Sequence, residues 1–170
     1  MIVAMLNGYP NSHDGGGVAA GRSAVETELV TDIIPSVEKS YRALTSRDDR
    51  AIAGLSMGGD QSFVTALRHP ELFAWVGEFS GAFISDAGFD LNTSTPAFLP
   101  DATRMNGMFR LLFLSCGTDD ERYPGHLDLI DRLNSTGIKH MWFSTAGAHE
   151  WKVWRRSLIE LLPRLFKLNS

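Results

Sequence analysis

The chain carries one cysteine, Cys116, and five scattered histidines. A single thiol cannot close an internal disulfide, so no oxidising compartment is required. The histidines make no pair at finger or helical ligand spacing, which leaves no sequence grounds for a metal site. Basic charge is short as well: 16 Lys and Arg face 20 Asp and Glu, for a formal net charge of −4. That balance argues against nucleic acid or an anionic membrane as the main partner. No apolar run approaches bilayer length, and no charged-then-apolar leader opens Met1–Leu6. As it stands the sequence therefore reads as cytoplasmic. Repeats are absent, and low complexity is confined to Gly15-Gly16-Gly17. What is left is 44% hydrophobic and 21% charged, the composition of one globular domain expected to span 1–170.

Against that plain background Gly54-Leu55-Ser56-Met57-Gly58, followed by Gly59, stands out. It joins the apolar run Arg50–Leu55 to the amphipathic run Gln61–Leu67. A strand turning sharply into a helix at G-x-S-x-G presents the serine hydroxyl at the tip of a strained turn. Both flanking glycines are expected to be needed because a Cβ there would strike the neighbouring strand and helix. The helix start aims the Met57 N–H at any oxyanion formed beside Ser56.

The remaining elements alternate. Ile2–Leu6 reads as a short strand and Asn11–Arg22 as loop. Ser23–Leu44 has helical periodicity through Val25, Leu29, Ile33, Val37 and Tyr41, with a kink expected at Pro35. Strands are expected at Arg50–Leu55, Phe73–Phe79, Phe109–Ser115 and His140–Ser144, and helices at Met57–Arg68, His126–Asn134 and Trp151–Lys167, the last despite Pro163. Residues 80–108 show no clear period and read as a long loop or lid. Strands alternating with helices predict an α/β fold, a mostly parallel sheet of about five strands flanked by helices. Ligands of such sheets bind at the carboxyl ends of strands.

Two further segments lie at such ends. Cys116-Gly117-Thr118-Asp119-Asp120 offers a carboxylate, Asp119 or Asp120, to accept the Nδ1–H of a histidine and fix its tautomer. Gly147-Ala148-His149-Glu150-Trp151 offers that histidine on a loop of small residues. The order Ser…Asp…His is that of α/β-hydrolases. The other histidines read more plainly: His69 as a cap at a helix end, His126 and His140 as residues away from the carboxyl edge. His13 sits in the glycine-rich loop as a possible substrate contact. Cys116 reads as a buried strand residue.

Together Gly54–Gly59, Cys116–Asp120 and Gly147–Trp154 resemble the signature segments of carbohydrate esterase family 1, which includes feruloyl and acetyl xylan esterases related to esterase D. Asp32–Glu38 and Asp49–Ala53 are similar to it as well, so the likeness runs through almost the whole chain. The resemblance implies the α/β-hydrolase fold, Ser56 as nucleophile and His149 as base, and it favours Asp120 over Asp119 as the acid. Family members carry further N-terminal strands and a Leu-His-Gly-type loop that supplies a second oxyanion N–H. This sequence opens at Ile2–Leu6 without them. The expectation is that Ile2–Leu6 pairs beside the nucleophile strand and that an N–H among Asn7, Gly8 and Tyr9 takes the missing donor's place. An exposed sheet edge would then favour a homodimer. A piece of a longer gene product is the alternative.

The chemistry implied is acyl transfer through Ser56, with no cofactor. Expected substrates are acetyl, or alternatively feruloyl, esters of plant polysaccharide such as xylan, an open cleft favouring the smaller group. Small esters or thioesters of the esterase D type are a second reading, and an inactive carbohydrate- or partner-binding remnant a third. Tyr9 is the expected direct substrate contact. Trp151 and Trp154, like Phe83, Phe89 and Phe98, are expected to pack against the sheet.

Overall fold

The computed structural model describes residues 1–8, 18–81, 90–96 and 98–167, with side chains from residue 22 onward in the first helix. The chain divides into two compact units, Met1–Thr45 and Ser46–Ser170.

In the first unit α1 (Val18–Glu28) runs through a π-turn (Leu29–Ile33) into α2 (Ile34–Ser40). Pro35 has no N–H to give the preceding turn. The helix accommodates it by widening, and the Ile34 N–H bonds the Leu29 carbonyl five residues back. Val25 and Leu29 are buried, whereas Tyr41 has left the helix in an extended conformation and is exposed. The strand expected at Ile2–Leu6 does not form, and Ile2, Val3 and Met5 are exposed. Apolar composition makes a segment suitable for a sheet, but a strand exists only where a neighbour supplies the other half of the ladder.

The second unit is a four-stranded parallel sheet in the order β1-β2-β3-β4, one strand fewer than expected. Its strands are β1 (Ala51–Leu55), β2 (Trp75–Phe79), β3 (Leu111–Gly117) and β4 (Met141–Thr145). The connections carry α3 (Met57–Arg68), then α4 (Leu91–Ser94) and α5 (Ala102–Met108), then α6 (Tyr123–Thr136). The chain closes with α7 (Trp151–Leu161). Every pair is in parallel register, for example Leu55 with Phe79, Phe79 with Ser115 and Gly117 with Thr145. The central strands β2 and β3 are buried almost throughout, as strands covered on both faces must be.

Alternate residues of β2 face opposite layers. On one face Phe79 and Phe113 pack with Val153, Trp154 and Leu161 of α7. Gly77 makes room there, since a Cβ on it would lie 2.5 Å from Leu161 Cδ2. On the other face α6 lays the His126 ring on Trp142, with centroids 6.0 Å apart. Pro163 ends α7 at Leu161 and is absorbed by a 3-10 turn over Leu162–Arg164, so the expected continuation to Lys167 stops short. The 80–108 connection is less loop-like than its composition suggests, because Asp90 and Asp101 cap α4 and α5 by accepting the Asn92 and Arg104 N–H groups, each at 3.0 Å. Phe98 is buried edge-on against Phe63. Phe83 and Phe89 lie outside the described residues.

The turn between β1 and α3 corrects one sequence inference. A Cβ on Gly54 would lie 2.2 Å from the Gly58 carbonyl oxygen, and one on Gly59 would lie 3.1 Å from the carbonyl oxygens of Gly54 and Phe79. A Cβ on Gly58 meets nothing within 4 Å among the described residues. The tight glycines are therefore Gly54 and Gly59, and Gly58 is not sterically required. Gly54→Ala should cost ~1–3 kcal/mol or prevent folding. Gly58→Ala should stay within about 0.5 kcal/mol of the parent. Denaturant unfolding checks the contrast, and equal losses at the two positions would contradict it.

Candidate active site

Ser56 follows the last residue of β1 and caps α3 with φ 52° and ψ −120°, a conformation L-residues rarely adopt. Strain of this kind costs about 1–3 kcal/mol and persists only where the surroundings impose it. Here the Ser56 N–H bonds the Phe79 carbonyl at 2.8 Å, extending the β1–β2 ladder one residue past the strand. The Ser56 carbonyl accepts the Asp60 N–H at 3.1 Å and begins α3. One strand along, Ser80 repeats the device with φ 50° and its N–H on the Ser115 carbonyl at 2.8 Å. Met57 is the first residue of α3, so its N–H belongs to the turn that has no acceptor within the helix.

The β3 and β4 ends are joined backbone to backbone. A Cβ on Gly117 would lie 2.1 Å from the Gly147 carbonyl oxygen, and Gly147 itself has φ 131°. The Thr118 N–H bonds the Thr145 carbonyl and the Asp119 N–H bonds the Gly147 carbonyl, each at 3.0 Å. This splice carries Asp120 and His149 toward each other. His149 Nδ1 lies 2.8 Å from Asp120 Oδ2, and its Nε2 lies 2.8 Å from Ser56 Oγ. An ionised carboxylate only accepts, so Nδ1 carries the proton and Nε2 is left to accept the Ser56 hydroxyl. Asp120 is fully buried at its side chain, whereas that of His149 is 27% exposed. Burial alone would raise the Asp120 carboxyl. The Arg122 N–H on Oδ1 at 3.0 Å, the bond and charge of His149, and the Ser80 hydroxyl together outweigh it and hold Asp120 below the usual carboxylate range. Asp119 is exposed, with the Thr118 hydroxyl 3.5 Å from its carboxylate. Of the two aspartates, Asp120 meets the histidine and Asp119 does not.

Trp154 supports the base from below, its ring edge-on to His149 at 4.8 Å. Trp151 departs from the expected packing role: it stands edge-on to Trp154 at 5.4 Å and is 65% exposed. Asn7 and Gly8 lie in the first unit, while Tyr9 and His13 lie outside the described residues. Cys116 is buried and free. Among the described residues no group of three or more side chains gathers as a metal site, and no helix is long and apolar enough to cross a membrane.

The sequence reading missed one feature beside the site. Glu78 and His126 are both fully buried, with His126 Nε2 3.1 Å from Glu78 Oε1. The ring faces Glu78 from β2, Cys116 from β3, the Arg122 carbonyl at the foot of α6 and Trp142 from β4. Burial disfavours the charged ring, but the Glu78 carboxylate and the hydrogen bonds the ring gives toward Glu78 and Cys116 prevail and push the imidazole from 6.5 up to about 11. Between those values the folded chain binds a proton that the unfolded chain has lost. Stability from this pair is therefore complete below pH 6.5 and declines as pH rises towards 11. Thermal unfolding as a function of pH should show this alkaline decline in the parent and a weaker one in Glu78→Gln. Identical slopes would contradict the pairing.

The Esterase family model, described as "Putative esterase", matches residues 9–165. The chain is 29% identical over 168 residues to an endo-1,4-beta-xylanase/feruloyl esterase of Xylanibacter ruminicola, an overlap covering 98% of this chain and 21% of that protein. Among solved structures it is similar to a ferulic acid esterase (TM-score 0.66, 25% identity, covering 84% of this chain and 61% of the other). It is similar also to an S-formylglutathione hydrolase from Staphylococcus aureus (TM-score 0.70, 22% identity, 88% and 64%). A third likeness is to a CE1 ferulic acid esterase from Anaeromyces mucronatus (TM-score 0.70, 22% identity, 86% and 56%). The chain thus spans 21% of the curated relative and 56–64% of these structures. With the family model running from residue 9 to residue 165 over this parallel sheet, the chain belongs to the Esterase family.

Proposed function

We propose that this chain is a serine esterase that hydrolyses feruloyl or acetyl esters of plant polysaccharide such as xylan through a covalent acyl-enzyme. The observation that carries this reading is the position of His149, 2.8 Å from both Ser56 Oγ and Asp120 Oδ2. In the first half-reaction Nε2 of His149 takes the Ser56 proton as Oγ bonds the ester carbonyl carbon. The carbonyl oxygen becomes an oxyanion and rests on the Met57 N–H. His149, now an imidazolium held by Asp120, protonates the departing alcohol oxygen as its bond to carbon breaks. A water then attacks the acyl-serine. His149 takes that water's proton and returns it to Oγ as the acid leaves.

For the acyl group, the likeness to the Xylanibacter xylanase/feruloyl esterase and to the ferulic acid esterase supports feruloyl, with acetyl as the smaller alternative. The exposed Trp151 indole, reached from His149 through Trp154, offers a flat apolar face to an aryl group or a sugar ring. A small-metabolite thioesterase is the second reading, supported by the fold shared with S-formylglutathione hydrolase.

Methyl ferulate, p-nitrophenyl acetate and S-formylglutathione, each assayed with the parent and with Ser56→Ala, decide among these. The expected result is ester turnover with ferulate preferred, abolished by Ser56→Ala. Turnover of S-formylglutathione alone would move the thioesterase reading to first place. Equal, near-background rates in both proteins would overturn the proposal. The acid is tested separately. Asp120→Asn should lower kcat by ~10⁴, the usual effect of forcing the wrong imidazole tautomer, while Asp119→Asn should leave kcat near that of the parent. The reverse pattern would assign the role to Asp119.

A further inference from the structure

Beneath the carboxyl edge of the sheet, one buried carboxylate reaches toward both halves of the site. Glu78 Oε1 accepts the Gly81 N–H and stands 3.1 Å from His126 Nε2. Gly81 belongs to the short segment that runs past the nucleophile turn. There the Phe79 carbonyl receives the Ser56 N–H at 2.8 Å, and a Cβ on Gly59 would lie 3.1 Å from that carbonyl oxygen and 3.4 Å from Gly81 Cα. On the other side His126 Nδ1 lies 2.9 Å from the Arg122 carbonyl, and the N–H of the same Arg122 donates to Asp120 Oδ1 at 3.0 Å. Ser80, between Glu78 and Gly81, is among the groups that hold the Asp120 carboxyl low. Hydrogen bonds joined by short runs of backbone thus link Glu78 to Ser56 through Gly81 and Phe79, and to Asp120 through His126 and Arg122.

We propose that Glu78 and His126 are positioning residues, a buried bracket that holds the Ser56 turn and the Asp120 loop at the separation His149 must span. Both ring nitrogens of His126 face acceptors, a carboxylate and a carbonyl, so both must donate and the ring is an imidazolium. A buried ion pair is a poor source of net stability, since well-packed apolar residues of similar volume often serve as well or better. An ion pair in the middle of an otherwise apolar strand and helix face is therefore explained by what it fixes. The inference rests on the serine esterase reading for its consequence, and on geometry alone for its existence.

The test is the double variant Glu78→Gln, His126→Leu. It removes both charges together, retains an acceptor for the Gly81 N–H and cuts the link to Arg122. Three quantities are read: the thermal midpoint, kcat and KM with the ester that turns over, and the downfield proton signal of the His149 Nδ1–H bond to Asp120. The expected result is a folded protein with a midpoint near that of the parent and KM little changed. In it kcat falls on the order of 10–10²-fold, as small misplacements of reacting groups do, and the proton signal is shifted or lost. A folded double variant with parental kcat and an unchanged signal overturns the proposal. Should the double variant fail to fold, Glu78→Asp, which keeps the charge and shortens the arm, is read in the same way. Parental kcat and signal in folded Glu78→Asp likewise overturn it. If the parent turns over no ester at all, the proton signal still decides the bracket, so its failure and that of the esterase reading are separable.

Discussion

Backbone meets backbone at two places along the carboxyl edge of this sheet, and the geometry of the site depends on both. At one, Gly54 leaves room for the Gly58 carbonyl, so α3 starts directly on the end of β1. At the other, Gly117 leaves room for Gly147, so the loops after β3 and β4 share a ladder of their own. Side chains between these backbones would move Ser56 away from His149 or His149 away from Asp120. The parallel register does the rest, because it brings Leu55, Phe79, Ser115 and the segment after Gly117 to one rim. Strain at Ser56 and Ser80 is what this closeness costs, and ladder bonds to Phe79 and Ser115 sustain it.

Where charge is buried in this unit, it sits near the site. Asp120 keeps its negative charge despite burial because Arg122, His149 and Ser80 supply donors. Glu78 keeps its partner in His126, whose ring lies flat on Trp142. The two systems touch through Arg122 and Ser80, so the acid of the site and the buried pair are parts of one network. Networks of this kind strengthen in a low dielectric and exact a penalty when half-satisfied, which is why they favour one arrangement.

Much of this was legible in the sequence, and the parts that were not share a physical reason. The Ser56 turn, the helix Met57–Arg68 and the loop of His149 follow from local signals: glycine spacing, amphipathic period and small residues after a strand. The bounds of α7 shifted only because Pro163 converts its last turn. The failures are non-local. Ile2–Leu6 has strand composition, but composition does not name a partner strand. The acid is a different case: the resemblance favours Asp120 over Asp119, and Asp120 is the aspartate that meets His149. Gly58 matches the motif, yet Gly59 makes the close contact. Glu78 carries a signal in the sequence: a carboxylate inside Trp75-Val76-Gly77-Glu78-Phe79 must find a partner if the strand is buried. His126, fully buried at the start of α6, is that partner.

The central claim is that Ser56 becomes acylated, with His149 moving the proton. The most direct test is mass spectrometry of peptides from the protein, quenched in acid during turnover of p-nitrophenyl acetate or methyl ferulate. The account predicts one acyl group, on Ser56, which accumulates in the first turnover and disappears as substrate is exhausted. Ester hydrolysis with no acyl group on Ser56, or with the adduct on another residue, would contradict it.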